Sequence, residues 1–253
     1  MLVVVQQAPP AASPRAILAA AEVTGLAQAE VRTRLAGALP RVLLVEPDEQ
    51  QARDKAAALE GLGFLAMACD PRAVPSDDDR LVARSLGLVP AGLIATDEQG
   101  ARELVAPSDI GLIQRGVRWN RATKVTKATL RRLDLKRAVL SGGLLLTRKV
   151  EVETVQSTGT EEPFLLLHRR GGGRDVVVYQ HRIDYRFLGR DLDASSTANF
   201  ARLVACVRAL APAAPFDERV ARPGLVQALP PTSANGVDLA LWLVLLTHLR
   251  RGR

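Results

Sequence analysis

The sequence predicts a mixed α+β fold, and three observations predict it. The first seventy residues alternate β-rich runs with Ala-rich helical ones, the chain from Gly92 on reads as short strands joined by glycine turns, and an amphipathic helix follows them. The expected order is a small β-α-α-β-α-β sandwich domain at 1–72, a linker at 73–91 and an antiparallel β domain at 92–212 closed by a helix. That second domain carries a basic insertion at 115–160, and a Pro-rich linker at 213–235 leads to an apolar tail helix at 236–253.

In the first domain, Met1–Gln7 is a short β-rich run. Ser13 then suits a helix N-cap and Pro14 the first helical position. Ala16–Thr24 is helical in composition and Gly25 stops it; a second helix runs from Gln28 to Ala36. RVLLVEP at 41–47 reads as a buried strand, Asp48 caps a helix that ends near Gly61, and FLAMACD at 64–70 reads as the next strand. A small sheet with helices on one face accommodates this order.

The runs AILAAAEVTGLAQAEVRTRLAG and DEQQARDKAAALEGLGFLAMA resemble the C-terminal domain of the bacterial ribosomal stalk protein over about 13–70. Thr24, Gly25, Leu26, Glu30, Ala52 and Gly63 match that family's pattern. In the family, basic residues on the helical hairpin meet translation factors. The resemblance carries one of those positions to Arg32, and two others fall on Ser13 and Ala21.

Within 73–91, Asp77, Asp78 and Asp79 read as the first turn of a short helical run, where acids complement the helix dipole. From Gly92, GLIAT and ELVA flank the turn DEQGAR as a hairpin, and PSDIGLIQRGVRW alternates apolar and polar positions. PFLLLHRR and RDVVVYQHRIDYRFL flank Gly171–Gly173 as a second hairpin. Ser195 or Ser196 caps a helix whose apolar stripe is Phe200, Leu203, Val204, Val207 and Leu210. Strands closed by one such helix, beginning with the pair Gly-Leu-Ile-x-Thr and Ser-Asp-Ile, resemble the bacterial pleckstrin-homology-like (PH-like) domains. That resemblance implies binding of a lipid headgroup, a peptide or another copy.

Charge is the most local feature of the chain. Residues 115–137 hold nine Lys or Arg, namely Arg115, Arg118, Arg121, Lys124, Lys127, Arg131, Arg132, Lys136 and Arg137, against the single acid Asp134; the whole chain sums to +7. The rest of the protein is thus close to neutral. Taken as a helix, 124–140 has a poor apolar stripe, and Thr123, Thr126, Thr129 and the SGG at 141–143 lower its helix propensity, which predicts an exposed element that orders on contact. Three partners fit it: nucleic acid, with Trp119 stacking on a base; an anionic membrane surface; or an acidic protein. Arg169, Arg170 and Arg174 flank the second hairpin's glycines and extend the positive charge if that tip faces the same way.

Nothing in the sequence spells a catalytic constellation. His168, His181 and His248 lack metal-ligand spacing, and no nucleophile elbow, phosphate loop or dinucleotide fingerprint occurs. His181 and Asp184, taken on a strand, fall on opposite faces. No cofactor and no metal are expected. Cys69 and Cys206 lie far apart in apolar runs and read as buried thiols of a reducing compartment. The N-terminus lacks a cationic stretch before its apolar run, and no apolar run approaches the roughly 20 residues of a membrane span. The sequence therefore reads as that of a cytoplasmic, non-enzymatic adaptor that binds protein partners, with an RNA- or ribosome-associated binding protein and a peripheral membrane binder as alternatives. The tail helix, apolar nearly all round, has to be covered: by its own domain, by a second copy in a homo-oligomer, or by a partner's groove.

Overall fold

The computed structural model describes residues 1–8, 14–37, 40–133 and 147–251, with backbone alone over 119–159. Met1–Arg118 and Pro163–Arg253 form one compact unit, and Trp119–Glu162 forms a second. The fold mixes helices with several sheets.

The chain opens with strand β1 (Leu2–Gln7), helices α1 (Pro14–Thr24) and α2 (Gln28–Leu35), strand β2 (Arg41–Val45), helix α3 (Glu49–Gly61) and strand β3 (Leu65–Cys69). Gly25 ends α1 with φ of 73°, a conformation that other residues pay to adopt. Asp48 caps α3 by accepting the Gln51 backbone N–H at 2.7 Å. The sheet order is β2-β1-β3, with β1 antiparallel to both neighbours. Val3 and Val5 pack with Ile17, Val31, Ala52 and Leu59 of the three helices. Leu2 and Val4 belong to a different core. All six elements lie where the sequence places them; Ser13 is outside the described residues.

The stretch 73–91, expected as a linker, contains strands β4 (Leu81–Ala83) and β5 (Ser85–Val89). Three-residue β4 is too short to signal itself locally and is held by parallel pairing with a strand almost a hundred residues away. Strands β6 (Gly92–Thr96) and β7 (Arg102–Val105) form the expected hairpin, and β5-β6-β7 is a small antiparallel sheet. The Asp97 carboxylate closes its turn by accepting the Gln99 and Ala101 N–H groups at 3.0 and 2.8 Å.

A larger sheet follows, built from β8 (Ile110–Leu133), β9 (Thr147–Arg169) and β10 (Val176–Tyr179), then helix α4 (Ser196–Leu210), strand β11 (Phe216–Asp217) and helices α5 (Pro223–Gln227) and α6 (Gly236–Arg251). Its order is β11-β8-β9-β10-β4. The sheet is not purely antiparallel as expected, because both edge strands, β4 and β11, pair in parallel. The strand read through RDVVVYQHRIDYRFL stops at Tyr179. His181 falls in a turn, and Asp184 caps a 3₁₀ helix at Tyr185–Asp191 by accepting the Arg186 N–H at 3.0 Å. Likewise 213–235 is no free linker, since Val220 and Leu225 are buried and β11 joins the sheet.

Residues 164–167 of β9 and 176–179 of β10 are apolar at nearly every position because both faces of this part of the sheet are covered. Leu165, Leu167, Val176 and Val178 face Phe200, Leu203, Val204 and Val207 of α4, which is the predicted stripe. Phe164, Leu166, Val177 and Tyr179 face Val237, Ala240, Leu241 and Val244 of α6. The other side of α6 offers Leu239 and Leu243 to Leu2, Val4, Val42 and Cys69 of the N-terminal sheet. The tail helix is therefore the shared layer between two sheets, and both its apolar sides are covered within the chain. Cys69 is buried there, which pushes its thiol pKa up, and Cys206 packs at the edge of the α4 core. Among the described residues no helix is long and apolar enough to cross a membrane.

We expect Leu243→Ala to cost about 3 kcal/mol in urea denaturation, because its side chain is fully buried between the sheets. Leu249→Ala, on the same helix but 57% exposed, is expected to cost under about 0.5 kcal/mol.

Candidate functional site

The basic stretch forms neither a helix nor a loop as far as Leu133: it is the outer part of the 24-residue strand β8. The physical reason lies in the residues that made it a poor helix, since Thr123, Val125, Thr126 and Thr129 are β-branched and favour extended backbone. Its partner is the 23-residue β9. The two strands run antiparallel, because Arg170 at the end of β9 donates its N–H to the Asp109 carbonyl at the start of β8 at 2.8 Å, while Phe164 lies over Gly116 further on. A Cβ at Gly116 would stand 2.4 Å from the Phe164 ring, so glycine is what lets this ring cross the strand. Beyond Arg118 and before Pro163 the two strands form the second unit, a long ribbon.

The nine basic residues divide into three groups. Arg115 and Arg118 belong to the body. Arg115 meets Glu218 at 3.0 Å in an exposed pair, and Arg118 enters a buried charge cluster. Trp119, Arg121, Lys124, Lys127, Arg131 and Arg132 lie on the ribbon strand, where the backbone is described. Lys136 and Arg137, like the SGG turn, lie outside the described residues. Arg32 is exposed on α2, whereas its neighbour Arg34 donates to the Leu43 carbonyl and to Glu30, both at 2.5 Å, tying α2 to β2. Ala21 is buried in the N-terminal core, so that position of the hairpin faces inward. At the second hairpin, Arg169 and Arg174 both bind Glu103, at 2.6 and 2.7 Å, and so spend their charge on the neighbouring sheet.

The root of the ribbon holds a cluster that sequence reading missed. Asp238, in the first turn of α6, accepts Arg80 at 2.6 Å and Arg118 at 2.9 Å. Asp77 accepts from the same two guanidinium groups, each at 3.2 Å, and accepts a 2.5 Å hydrogen bond from the Tyr179 hydroxyl. Arg182 stacks on the Tyr179 ring, 4.5 Å from its centroid. Side-chain exposure is 2% for Arg80 and 5% for Asp238, so these charges are taken almost wholly out of water and hold each other in place of it. Burial works against the Arg118 charge, but Asp238, Tyr179 and Asp77 outweigh it and hold the guanidinium more firmly protonated than usual. Burial and then Asp77 push the Tyr179 hydroxyl well above the ordinary tyrosine range. Asp77 thus does more than complement a helix end, although Ser76 does cap its 3₁₀ turn. The one local signal was Asp77 standing three residues before Arg80; the rest of the cluster assembles from residues up to 161 positions apart, which no local pattern records.

Two further polar contacts fasten α6. His168 is buried with Nδ1 2.7 Å from Asp175 and Nε2 2.6 Å from Gln114 Oε1, and the Gln114 amide donates onward to the Leu241 carbonyl of α6 at 3.3 Å. Burial raises the Asp175 pKa, but the His168 contact outweighs it and brings it below the usual carboxylate value. At the other end of the helix His248 meets Asp217 at 2.8 Å, and Arg219 binds the same carboxylate at 2.7 Å. Burial opposes that ionised form too, yet the two partners bring Asp217 down to about 2. Both His168 and His248 are thus engaged by an acid that fixes structure. Among the described residues no group of three or more His, Cys, Asp or Glu is placed to hold a metal ion.

We expect Asp238→Ala to cost about 3–5 kcal/mol in urea denaturation, since it leaves two guanidinium groups without their shared carboxylate. Glu218→Ala, which loses only the exposed Arg115 pair, is expected to cost less than about 1 kcal/mol. Asp217 has a folded pKa near 2, below its unfolded value, so its contribution is complete above about pH 4 and is lost as pH falls through 2. The unfolding free energy from urea denaturation, measured from pH 5 downward, should fall by about 2 kcal/mol more in the native protein than in Asp217→Asn.

No protein-family model matches the chain, and no curated protein or solved structure matches it, so its function rests on its own residues.

Proposed function

We propose that this is a non-enzymatic docking protein, an adaptor whose β8–β9 ribbon meets an acidic surface while the body binds protein partners. One observation carries the reading: β8 continues without a break from the core into the ribbon, and residues 119–133 of that strand hold Arg121, Lys124, Lys127, Arg131 and Arg132 with no acid among them. A strand has period two, so these cations fall at both odd and even positions, and neither parity is left neutral. Arg115 and Arg118, by contrast, pair with acids of the body, Glu218 and Asp238. Charge held on an extended ribbon serves association, because it steers an acidic partner and sets salt dependence more than it stabilises a fold.

The finer fold readings belong to the same proposal. The element order of residues 1–72 and the single helix-covered face that its own helices provide support a stalk-like module. The β6–β7 and β9–β10 hairpins and the closure by α4 support a PH-like module, which fits binding better than catalysis. We place the protein in the cytoplasm on its two unpaired thiols.

The test is retention on immobilised heparin as a generic polyanion. The native chain should elute late and increasingly early as salt rises. A variant with Arg121, Lys124, Lys127, Arg131 and Arg132 all changed to Gln should elute markedly earlier with an unchanged urea midpoint. Equal elution of the two proteins would remove the ribbon from the docking role.

A further inference from the structure

We propose that the outer edge of β7 takes an extended segment of an acidic protein, which adds to the β5-β6-β7 sheet as a fourth strand. This rests on the reading of the body as the part that binds protein partners. The order β5-β6-β7 leaves β7 with a neighbouring strand on one side only. The Asp97 N–H donates to the Ala101 carbonyl at 3.0 Å, and the register continues with Ala95 opposite Glu103, Ile94 opposite Leu104 and Leu93 opposite Val105. Hydrogen-bonded and non-hydrogen-bonded pairs alternate along an antiparallel ladder. Ala101, Glu103 and Val105 therefore turn their backbone groups to β6, while Arg102 and Leu104 turn theirs away from it. Among the described residues no backbone hydrogen bond closes the N–H and C=O groups of Arg102 and Leu104. Both residues are exposed, Leu104 by 48%. A strand edge with free donors and acceptors is a template for another strand.

The side chains beside the edge decide what kind of strand fits. Gly87, Ile94 and Leu104 stand side by side across the three strands, on the face opposite Leu93 and Val105, which enter the core. An incoming strand sets every second residue against that row, and an apolar residue there covers Leu104. Charge supplies the rest. The single Glu103 carboxylate answers both Arg169 and Arg174, at 2.6 and 2.7 Å. Asp109 lies 3.7 Å from Arg169, and its carbonyl accepts the N–H of exposed Arg170 at 2.8 Å. With exposed Arg102, four arginines thus stand against two acids at this margin. The neighbouring acids are engaged elsewhere, Asp97 by its own turn, Glu98 by Arg84 and Asp175 by His168. A second copy of this chain on the same edge would set the positive excess against itself, whereas a strand alternating Asp or Glu with apolar residues gains from it.

The experiment uses the full chain and fluorescence anisotropy, with a labelled peptide of alternating Glu and Val, about ten residues long, as the probe. A peptide of alternating Lys and Val is the control. The native chain should bind the Glu-Val peptide, less tightly as salt rises, and should not bind the Lys-Val peptide. Leu104→Pro removes an outward N–H and the exposed leucine at a position where an edge strand tolerates proline. It should weaken binding by on the order of 10-fold or more at an unchanged urea midpoint. Arg102→Glu alters an exposed side chain alone and should weaken binding by about 10-fold; it decides the matter if Leu104→Pro unfolds. The ribbon variant with five cations changed to Gln should bind the peptide as the native chain does. Failure of the native chain to bind the Glu-Val peptide overturns the edge inference, as does binding that is lost in the ribbon variant and intact in the two β7 variants. In either case late elution from heparin leaves the ribbon's docking role standing. If instead ultracentrifugation finds a native dimer that Leu104→Pro dissociates, a second copy occupies the edge and the acidic partner is overturned.

Discussion

The burial of α6 between two sheets is the interaction on which the rest of the body depends. Each sheet has one face covered by its own helices, α1 to α3 in one case and α4 in the other, and a second face that is equally apolar. A sheet with a bare apolar face is unstable in water. One helix that is apolar on nearly every side covers both faces at once. At about 1.5–3 kcal/mol for each fully buried Leu or Val, its Leu239, Leu241, Leu243 and Val244 contribute several kcal/mol, a large part of what a domain of this size has to spare.

A helix buried on both sides by apolar contacts alone could slide or rotate. The polar contacts along α6 remove that freedom. Asp238 fixes its start to Arg80 and Arg118, Gln114 reaches the Leu241 carbonyl at its middle, and His248 meets Asp217 near its end. Arg250 adds a contact to Glu60 and the Ala66 carbonyl, both at 2.6 Å, on the N-terminal sheet's side. Hydrogen bonds of this kind add modest net stability, but each is costly to leave unmade, so they select one register from several with similar apolar burial. The same cluster that starts α6 includes Arg118, the last body residue of β8, so the register of the tail helix and the root of the ribbon are set by shared carboxylates.

Much of the fold was legible because it is local. Gly25, the Asp48 cap, the Asp97 turn and the stripe from Phe200 to Val207 each act within a few residues, and the sequence records them where they occur. What escaped was non-local. Leu81–Ala83 becomes a strand only because Val176–Val178 pairs with it in parallel, and Phe216–Asp217 only because Ile113 and Gln114 do. The helical weighing of 124–140 failed in part for a different reason: it tested a period of 3.6 where threonine and valine favoured one of two. The charge was legible as a concentration and illegible as geometry, since nothing near Arg118 announces Asp238.

The position of α6 along the chain also sets an order in time. A ribosome releases both sheets before it releases the helix that covers their second faces, so nascent chains expose Leu2, Val4, Leu166 and Val177 until the end of the body has emerged. The pairing of β4 with β10 imposes a similar wait, and long-range closure of this kind slows folding. Closure of the body thus waits on α6, because one apolar face of each sheet stays uncovered until that helix packs.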